Sequence, residues 1–401
     1  MNIVLTKDNI TDTYFLIKLL HDINPCEEIV LSGDTKLFYL FHHIFNFIMF
    51  SGKFKNKKVS KKKDLSYLTR KDQDEYILKN FSSFDKLPIN YIPMKIQLGL
   101  CCINTELRER GIFTSRKPTL KTIETKGVQY LREQALMNCE DLYRQIQWNA
   151  EHGIRVFRIS SELFPHMSNP RVKDYNLNFA IPVLKKIGQL ARWYKHRLTF
   201  HPGQYDVLGT ADENIFNNTK LDLDYHAEVL DLMELDNDCV MVIHGGGIYG
   251  NKEETNRRWI KNFHRLPERV QRRLVIENCE RCYSIEDCLL ISKEINIPVV
   301  LDTHHYTCYS QNVQKCKPIE EYIEEILKTW KKRNIKPKFH ISEQGEGRTG
   351  CHSDYVETIP NYLLEIPDKY GIDIDIMIEA KAKEKAVFHL YELYGKFLIH
   401  R

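Results

Sequence analysis

From Met94 onward the chain alternates short apolar, β-branched runs with stretches whose apolar residues recur every three or four positions. The short runs are IQLGL (96–100), RVFRI (155–159), RLTFH (197–201), VMVIH (240–244), RLVIE (273–277), PVVLD (298–302), PKFH (337–340) and IDIMIE (374–379). Near-continuous apolarity over a few residues suits a strand buried on both faces. Helical stretches lie between them, such as EDLYRQIQWNAEHG (140–153), where Leu142, Ile146 and Ala150 share one face. Strand-then-helix repeated eight times predicts an α/β fold, a (β/α)8 TIM barrel. A doubly wound open sheet is the alternative, but no GxGxxG follows the first strand.

Residues 1–93 lack this rhythm. An apolar segment, LFYLFHHIFNFIMF (37–50), is followed by KFKNKKVSKKK (53–63) and by the turn-like LPINYIPM. A membrane-spanning helix needs roughly 20 apolar residues. The 37–50 segment is shorter and carries His42, His43 and Asn46, so it reads as a buried helix. The expected organisation is an N-terminal extension with a lysine-rich linker (1–93) and a barrel domain (94–401).

Charge changes this picture only locally. The net charge is +4, and the run 53–63 holds seven lysines and no acid, so the rest of the chain sums to −3. The lysine run reads as a nuclear-targeting signal, a DNA-tethering arm or a solvated linker. The cysteines number 11, an odd count with no repeating frame, and MNIVLTKDNITD has no basic segment followed by an apolar core. Reduced thiols in an intracellular compartment, without a signal peptide, are therefore expected. Cys279 and Cys282 form a CxxC with no second pair at zinc-ribbon spacing, which reads as ordinary core or helix cysteines.

The chemistry sits where the strands stop. The last six runs end on His201, His244, Glu277, Asp302, His340 and Glu379. Parallel barrel strands all end at one mouth, so these side chains are expected to converge there. Two more candidates follow shortly, His305 in DTHHY and His352 in GCHSDY. Packed carboxylates repel one another unless cations lie between them. Nitrogen and oxygen donors without thiolate suit Mn²⁺, Zn²⁺ or Fe²⁺ better than Ca²⁺. Eight donors exceed the needs of one ion and fit two or three, with Glu277 as the natural bridge. Mn(II) is the first expectation, with Zn(II) or Mg(II) as alternatives. Clustered metals suit phosphoryl transfer, where one ion generates hydroxide and another stabilises the leaving oxygen.

Three neighbouring features admit two readings. The glycines of HGGGIYG (244–250) either let backbone approach a phosphate or form a flexible turn. Lys338 lies on the same side of its strand as His340, either as a carbamylated ligand or ion-paired with a carboxylate. His226, in the helical LDYHAEVL, reads as a packing residue rather than a ligand.

Taken in order, MKIQLGLCCIN, FRISSELFP, HPGQY, HGGGIYGNK, IENCER, LDTHH, KPKFHIS and IEAKAKEK resemble the UV damage endonuclease family from Met94 to Lys385. That family is a metal-dependent TIM-barrel group, similar to the abasic-site endonucleases of the endonuclease IV type, and it nicks DNA 5′ of UV photoproducts. The resemblance implies metal binding at His201, His244, Glu277, Asp302, His305, His340, His352 and Glu379. Glu277, as the bridge, and Lys338, from its place on the strand below His340, are the expected catalytic residues. It implies that Gln204 and Tyr205 probe the duplex opposite the lesion, as a base leaves the stack. Asn104, Leu100, Glu162 and Lys381 join them as lesion or DNA contacts. Leu100 stands where relatives commonly carry an aromatic residue, and Glu162 at a place that varies and can be histidine.

The function expected is that of a DNA-repair endonuclease acting as a monomer on damaged double-stranded DNA, without a membrane, in a nuclear or other DNA-containing compartment. The alternatives are an endonuclease mainly for abasic sites, a metal-dependent sugar isomerase, and a non-catalytic DNA-binding relative.

Overall fold

Each apolar run from Met94 onward forms a strand, and the strands close on one another. The computed structural model describes residues 2–5, 30–33 and 94–399. The apolar segment 37–50 and the lysine run 53–63 lie outside the described residues. The chain divides into two compact units, Met1–Ile92 and Pro93–Arg401. In the first, β1 (Asn2–Leu5) pairs in parallel with β2 (Val30–Gly33).

The second unit contains β3 (Ile96–Cys101), β4 (Val156–Ile159), β5 (Arg197–Phe200), β6 (Met241–His244), β7 (Leu274–Glu277), β8 (Val299–Val300), β9 (Lys338–Ile341) and β10 (Ile374–Ile378). All pair in parallel, in the order β8-β7-β6-β5-β4-β3-β10-β9. The ends of that row meet: Asp302 bridges His340 in parallel, and the His340 amide donates to the Leu301 carbonyl at 2.9 Å. The sheet is thus a nearly closed eight-stranded TIM barrel. Helices such as Ile181–Trp193, Glu213–Leu232, Ile285–Ile295 and Glu384–Leu398 follow the strands. The helix read at 140–153 begins earlier, spanning Leu120–Glu151 with a kink at Gly127, whose φ is +81°.

Register settles which side chains face the barrel interior, because partners across a strand pair share a face. Cys101 pairs with Arg158, His244 with Glu277, and Asp302 with His340. The inward positions nearest the mouth, one per strand, are Cys101, Arg158, His201, His244, Glu277, Asp302, His340 and Glu379. Leu100 pairs with Phe157 and Ile378, on the opposite face, towards the helices. Inward Gly99 leaves that side to Met377, since a Cβ at Gly99 would lie 3.0 Å from Met377 Cε.

The floor of the barrel is charged rather than apolar. Arg197 of β5 donates to Asp375 of β10 at 2.8 Å. These strands are not neighbours, so the contact crosses the interior. Lys336 also pairs with Asp375, which is fully buried. Burial acts to raise the Asp375 carboxyl, but Lys336 and Arg197 outweigh it and hold the group below the ordinary carboxylate range. Removing one partner of such a cluster strands the other charges in low dielectric.

Asp375→Asn should therefore cost roughly 3–5 kcal/mol of unfolding free energy. A carboxyl depressed in the folded state contributes fully above its unfolded value and loses that contribution as pH falls through its folded one. The variant's stability should consequently fall less steeply than wild type from about pH 5 downwards. Urea unfolding at a series of pH values measures both effects, and parallel profiles would exclude this role for the pair.

Candidate metal centre and the turn beside it

Glu277 ends β7 and is 1% exposed. Its two oxygens face different imidazoles. Oε2 lies 3.0 Å from His201 Nε2 and 4.0 Å from His244 Nε2. Oε1 lies 2.9 Å from His340 Nδ1 and 3.5 Å from His305 Nδ1. Burial pushes the Glu277 carboxyl up, but the surrounding imidazoles, His340 and His244 first, hold it well below its ordinary value. Burial pushes the His244 imidazole down to about 4, with Glu277 acting against that shift.

Asp302 and His305 come from one short segment after β8. Asp302 caps the helix Thr303–Asn312, accepting from the His305 amide at 2.7 Å, and its other oxygen lies 3.8 Å from His305 Nδ1. Asn278 fixes the Asp302 backbone from both sides, accepting from its amide at 2.8 Å and donating to its carbonyl at 3.0 Å. Burial pushes the Asp302 carboxyl up to about 6. Glu379, just past β10, lies 3.3 Å from His340 and 3.8 Å from His352. His352 is thereby brought to the rim of the cluster. The structure brings all eight proposed donors to one mouth.

Sequence reading missed Arg158, which faces inward from β4 and hydrogen-bonds Glu379. The available signal was period-two alternation in RVFRI, which puts Val156 and Arg158 on one face. It also missed Asn278 and Ser161, whose hydroxyl donates to the His201 carbonyl at 2.7 Å. Lys338 is fully buried below the cluster, 3.4 Å from Thr199 Oγ1. The expected ion pair is absent: Lys338 has no carboxylate partner among the described residues, because Arg197 and Lys336 occupy Asp375. Burial, aided by Arg197, pushes its ammonium down to about 7.

Beyond His201 the chain turns sharply, with the Asp206 amide donating to the Gly203 carbonyl at 3.0 Å. Gln204 is exposed, and Tyr205 is 81% exposed at the tip of this turn. Two glycines of the 244–250 segment serve close packing: a Cβ on Gly245 would stand 2.2 Å from the Tyr283 ring, and one on Gly246, whose φ is +89°, 3.0 Å from Val207. His226 is a core residue, edge-on to Phe200 at 4.8 Å. Glu162 pairs with Lys117 at 2.7 Å, and Lys381 is exposed.

Two expectations need correction. Leu100 is fully buried and faces the helical layer, since inward and outward positions alternate and Gly99 is the inward one. Asn104 is also fully buried, because its side chain caps the helix Thr105–Glu109 by accepting from the Leu107 amide at 2.8 Å.

The donors suit divalent cations. His201, His244 and Glu277 form one set whose donor atoms lie within 4.8 Å of one another, and Glu277, Asp302 and His305 form a second. Asp302 Oδ2, His244 Nδ1 and His340 Nε2 are buried without a hydrogen-bond partner. Orphaned donor atoms beside a carboxylate common to both sets are what two adjacent cation sites require.

The profile of the family described as UV-endonuclease UvdE matches residues 96–398. The chain belongs to that family. A putative UV-damage endonuclease of Acanthamoeba polyphaga mimivirus is 42% identical over 305 residues, covering 75% of this chain and 91% of that protein. The UV-damage endonuclease of Schizosaccharomyces pombe is 36% identical over 316 residues, covering 76% of this chain and 51% of that protein. The chain therefore spans about half the length of that relative. The crystal structure of SacUVDE aligns with TM-score 0.65 and 27% identity, over 75% of this chain and 98% of that one.

For this UvdE chain, cation binding should be measurable without DNA. A ligand that binds only the folded state at 100 times its Kd adds about 2.7 kcal/mol. Mn²⁺ added to metal-stripped protein should raise the unfolding midpoint, and Glu277→Gln should remove most of the shift. An equal shift in that variant would place the cation elsewhere.

Proposed function

We propose that this chain hydrolyses the phosphodiester 5′ of UV photoproducts in duplex DNA, using two or three divalent ions held at the barrel mouth. Membership of the UvdE family makes it a nuclease of DNA repair that acts on UV damage. The observation that carries the finer reading is the buried Glu277 carboxylate, with imidazoles against both oxygens.

His201, His244 and Glu277 would hold one ion, and Glu277, Asp302 and His305 another, with His340, His352 and Glu379 completing the set. Bound ions of this kind supply hydroxide near neutral pH and offset charge on the leaving oxygen. The chain's own residues prepare that chemistry. Glu277 stays ionised despite burial, Arg158 keeps Glu379 oriented and ionised, and Asn278 holds Asp302 in register. Lys338 is assigned to the same site, where its buried amine can lose or hold a proton near neutral pH. We take Mn²⁺ as the first candidate metal, because the donors are mixed imidazole and carboxylate.

Recognition is assigned to the exposed turn at Gln204 and Tyr205, with Lys381 and Glu162 as further contacts near the mouth. An aromatic side chain presented to solvent beside a metal cleft suits a stacked polymer, whereas a sugar isomerase needs a cleft that closes over a small polyol. The partner is damaged double-stranded DNA and the working form a monomer in an intracellular, DNA-containing compartment. No helix among the described residues is long and apolar enough to cross a membrane. Residues 94–401 are assigned the catalysis, and 1–93, with the lysine run, tethering or targeting.

The deciding experiment offers metal-loaded protein a UV-irradiated, an abasic and an undamaged duplex. Nicking 5′ of photoproducts is expected, and Glu277→Gln should reduce it by at least about 10³-fold, some 4 kcal/mol of barrier, while lesion binding persists. Cleavage confined to abasic DNA would replace the proposed substrate, and near wild-type nicking by the variant would remove Glu277 from the mechanism.

Truncating Gln204 and Tyr205 together to Ala should weaken binding to lesion DNA far more than to undamaged duplex. Stacking on an aromatic face contributes about 1–3 kcal/mol per base. Dissociation constants for both duplexes at one salt concentration, with metal content measured alongside, test this. An unchanged ratio would move recognition off the turn.

A further inference from the structure

Immediately after Tyr205 the chain buries an acid. Asp206 is 8% exposed, and its carboxyl hydrogen-bonds the carboxyl of Asp222 on the helix Glu213–Leu232. Two carboxyls can hydrogen-bond only if one of them carries a proton. Asp222 is the acceptor its surroundings favour: Ser168 Oγ donates to its Oδ1 at 2.5 Å, and His226 Nδ1 lies 3.3 Å from its Oδ2. Asp206 has no cationic partner among the described residues.

The same helix takes the next residue as well, since the Val207 amide donates to Thr219 Oγ1 at 3.2 Å. Thr219, Asp222 and His226 lie three and four residues apart, on one helix face. The other end of the turn is held separately, with Ser161 donating to the His201 carbonyl and Tyr225 donating to the Ser161 carbonyl at 2.8 Å. Between these two anchors only Gly203, Gln204 and Tyr205 are exposed.

We propose that Asp206 is a positioning residue for lesion recognition: one proton shared between Asp206 and Asp222 latches the Gln204–Tyr205 turn to the helix below it. The latch holds Tyr205 at a fixed height above the metal mouth without itself touching DNA. It rests on the reading of this turn as the DNA probe.

The latch has a pH limit. Burial, reinforced by Asp222, pushes the Asp206 carboxyl up to about 9. Burial acts upward on Asp222 too, but His226 and Ser168 outweigh it and hold that carboxyl down to about 2. The titratable groups around the pair are His226, against Asp222, and Tyr225 on the same helix, which itself faces Glu162 from the segment after β4 and Tyr175. A carboxyl raised in the folded state contributes below its unfolded value and loses that contribution as pH rises through the folded one. The latch is therefore closed at neutral pH and opens near pH 9, when two facing carboxylates repel.

The test compares Asp206→Ala with Asp206→Asn, whose amide donates to the Asp222 carboxylate without a titrating proton. Asp206→Ala should raise the Kd for a photoproduct duplex about tenfold relative to undamaged duplex, the scale of one hydrogen bond to a charged group. The loss should fall on Kd and not on the single-turnover rate at saturating protein. Asp206→Asn should retain the wild-type ratio and abolish the weakening that wild type shows as pH approaches about 9. Hydrogen exchange of the 201–208 segment in DNA-free protein should speed in Asp206→Ala and not in Asp206→Asn. A wild-type Kd ratio in Asp206→Ala, or an Asn variant as defective as the Ala variant, overturns the proposal. Tyr205→Ala is measured in parallel: an unchanged ratio there rejects the probe reading, while the exchange pattern still decides whether the latch exists.

Discussion

A single buried carboxylate organises the mouth of this barrel. Glu277 stays ionised although it is 1% exposed, with imidazoles from β6 and β9 and from the segments after β5 and β8 converging on its two oxygens. Each donor therefore constrains a different strand. His201 and His340 belong to strands that do not neighbour β7, so their contacts with Glu277 hold the barrel across its own interior. Closure depends on the same region: the pairing that seals the cylinder is Asp302 with His340, and both are proposed donors. Assembly of the site and closure of the sheet are one geometric event.

A second ionic cluster works at the opposite end with opposite logic. Arg197, Lys336 and Asp375 offset one another's charge across the floor of the barrel. At the mouth, carboxylate and imidazole atoms remain without partners, so the site is completed only by something that brings positive charge. Lys338 stands between the two layers, deprived of a carboxylate by the floor and kept from water by the strands. Its lowered ammonium is a consequence of that position.

Much of the barrel was legible from the chain because parallel strands buried on both faces leave apolar runs that few other elements produce. The strand-end donors were legible for a related reason: a polar residue that ends such a run needs a partner, and six of them end at one mouth. The inward Arg158 was harder to see, since it lies inside a run rather than at its end. Leu100 and Asn104 were misplaced because membership of a motif does not say which way a side chain points. One residue of register separates inward Gly99 from outward Leu100, and a local helix cap takes the Asn104 side chain out of the cleft.

The sequence by itself determined the barrel class and which imidazoles and carboxylates end its strands, since these depend on periodicity and residue type along a continuous chain. Only the tertiary structure decided which donors share Glu277, that Arg158 faces Glu379, and that Asp206 meets Asp222. Those facts concern residues such as Arg158 and Glu379, far apart in the chain and joined through strand register. A carboxylate's charge state depends on what surrounds it in space. No local pattern can report that, because burial and the neighbours that offset it exist only after the chain has folded.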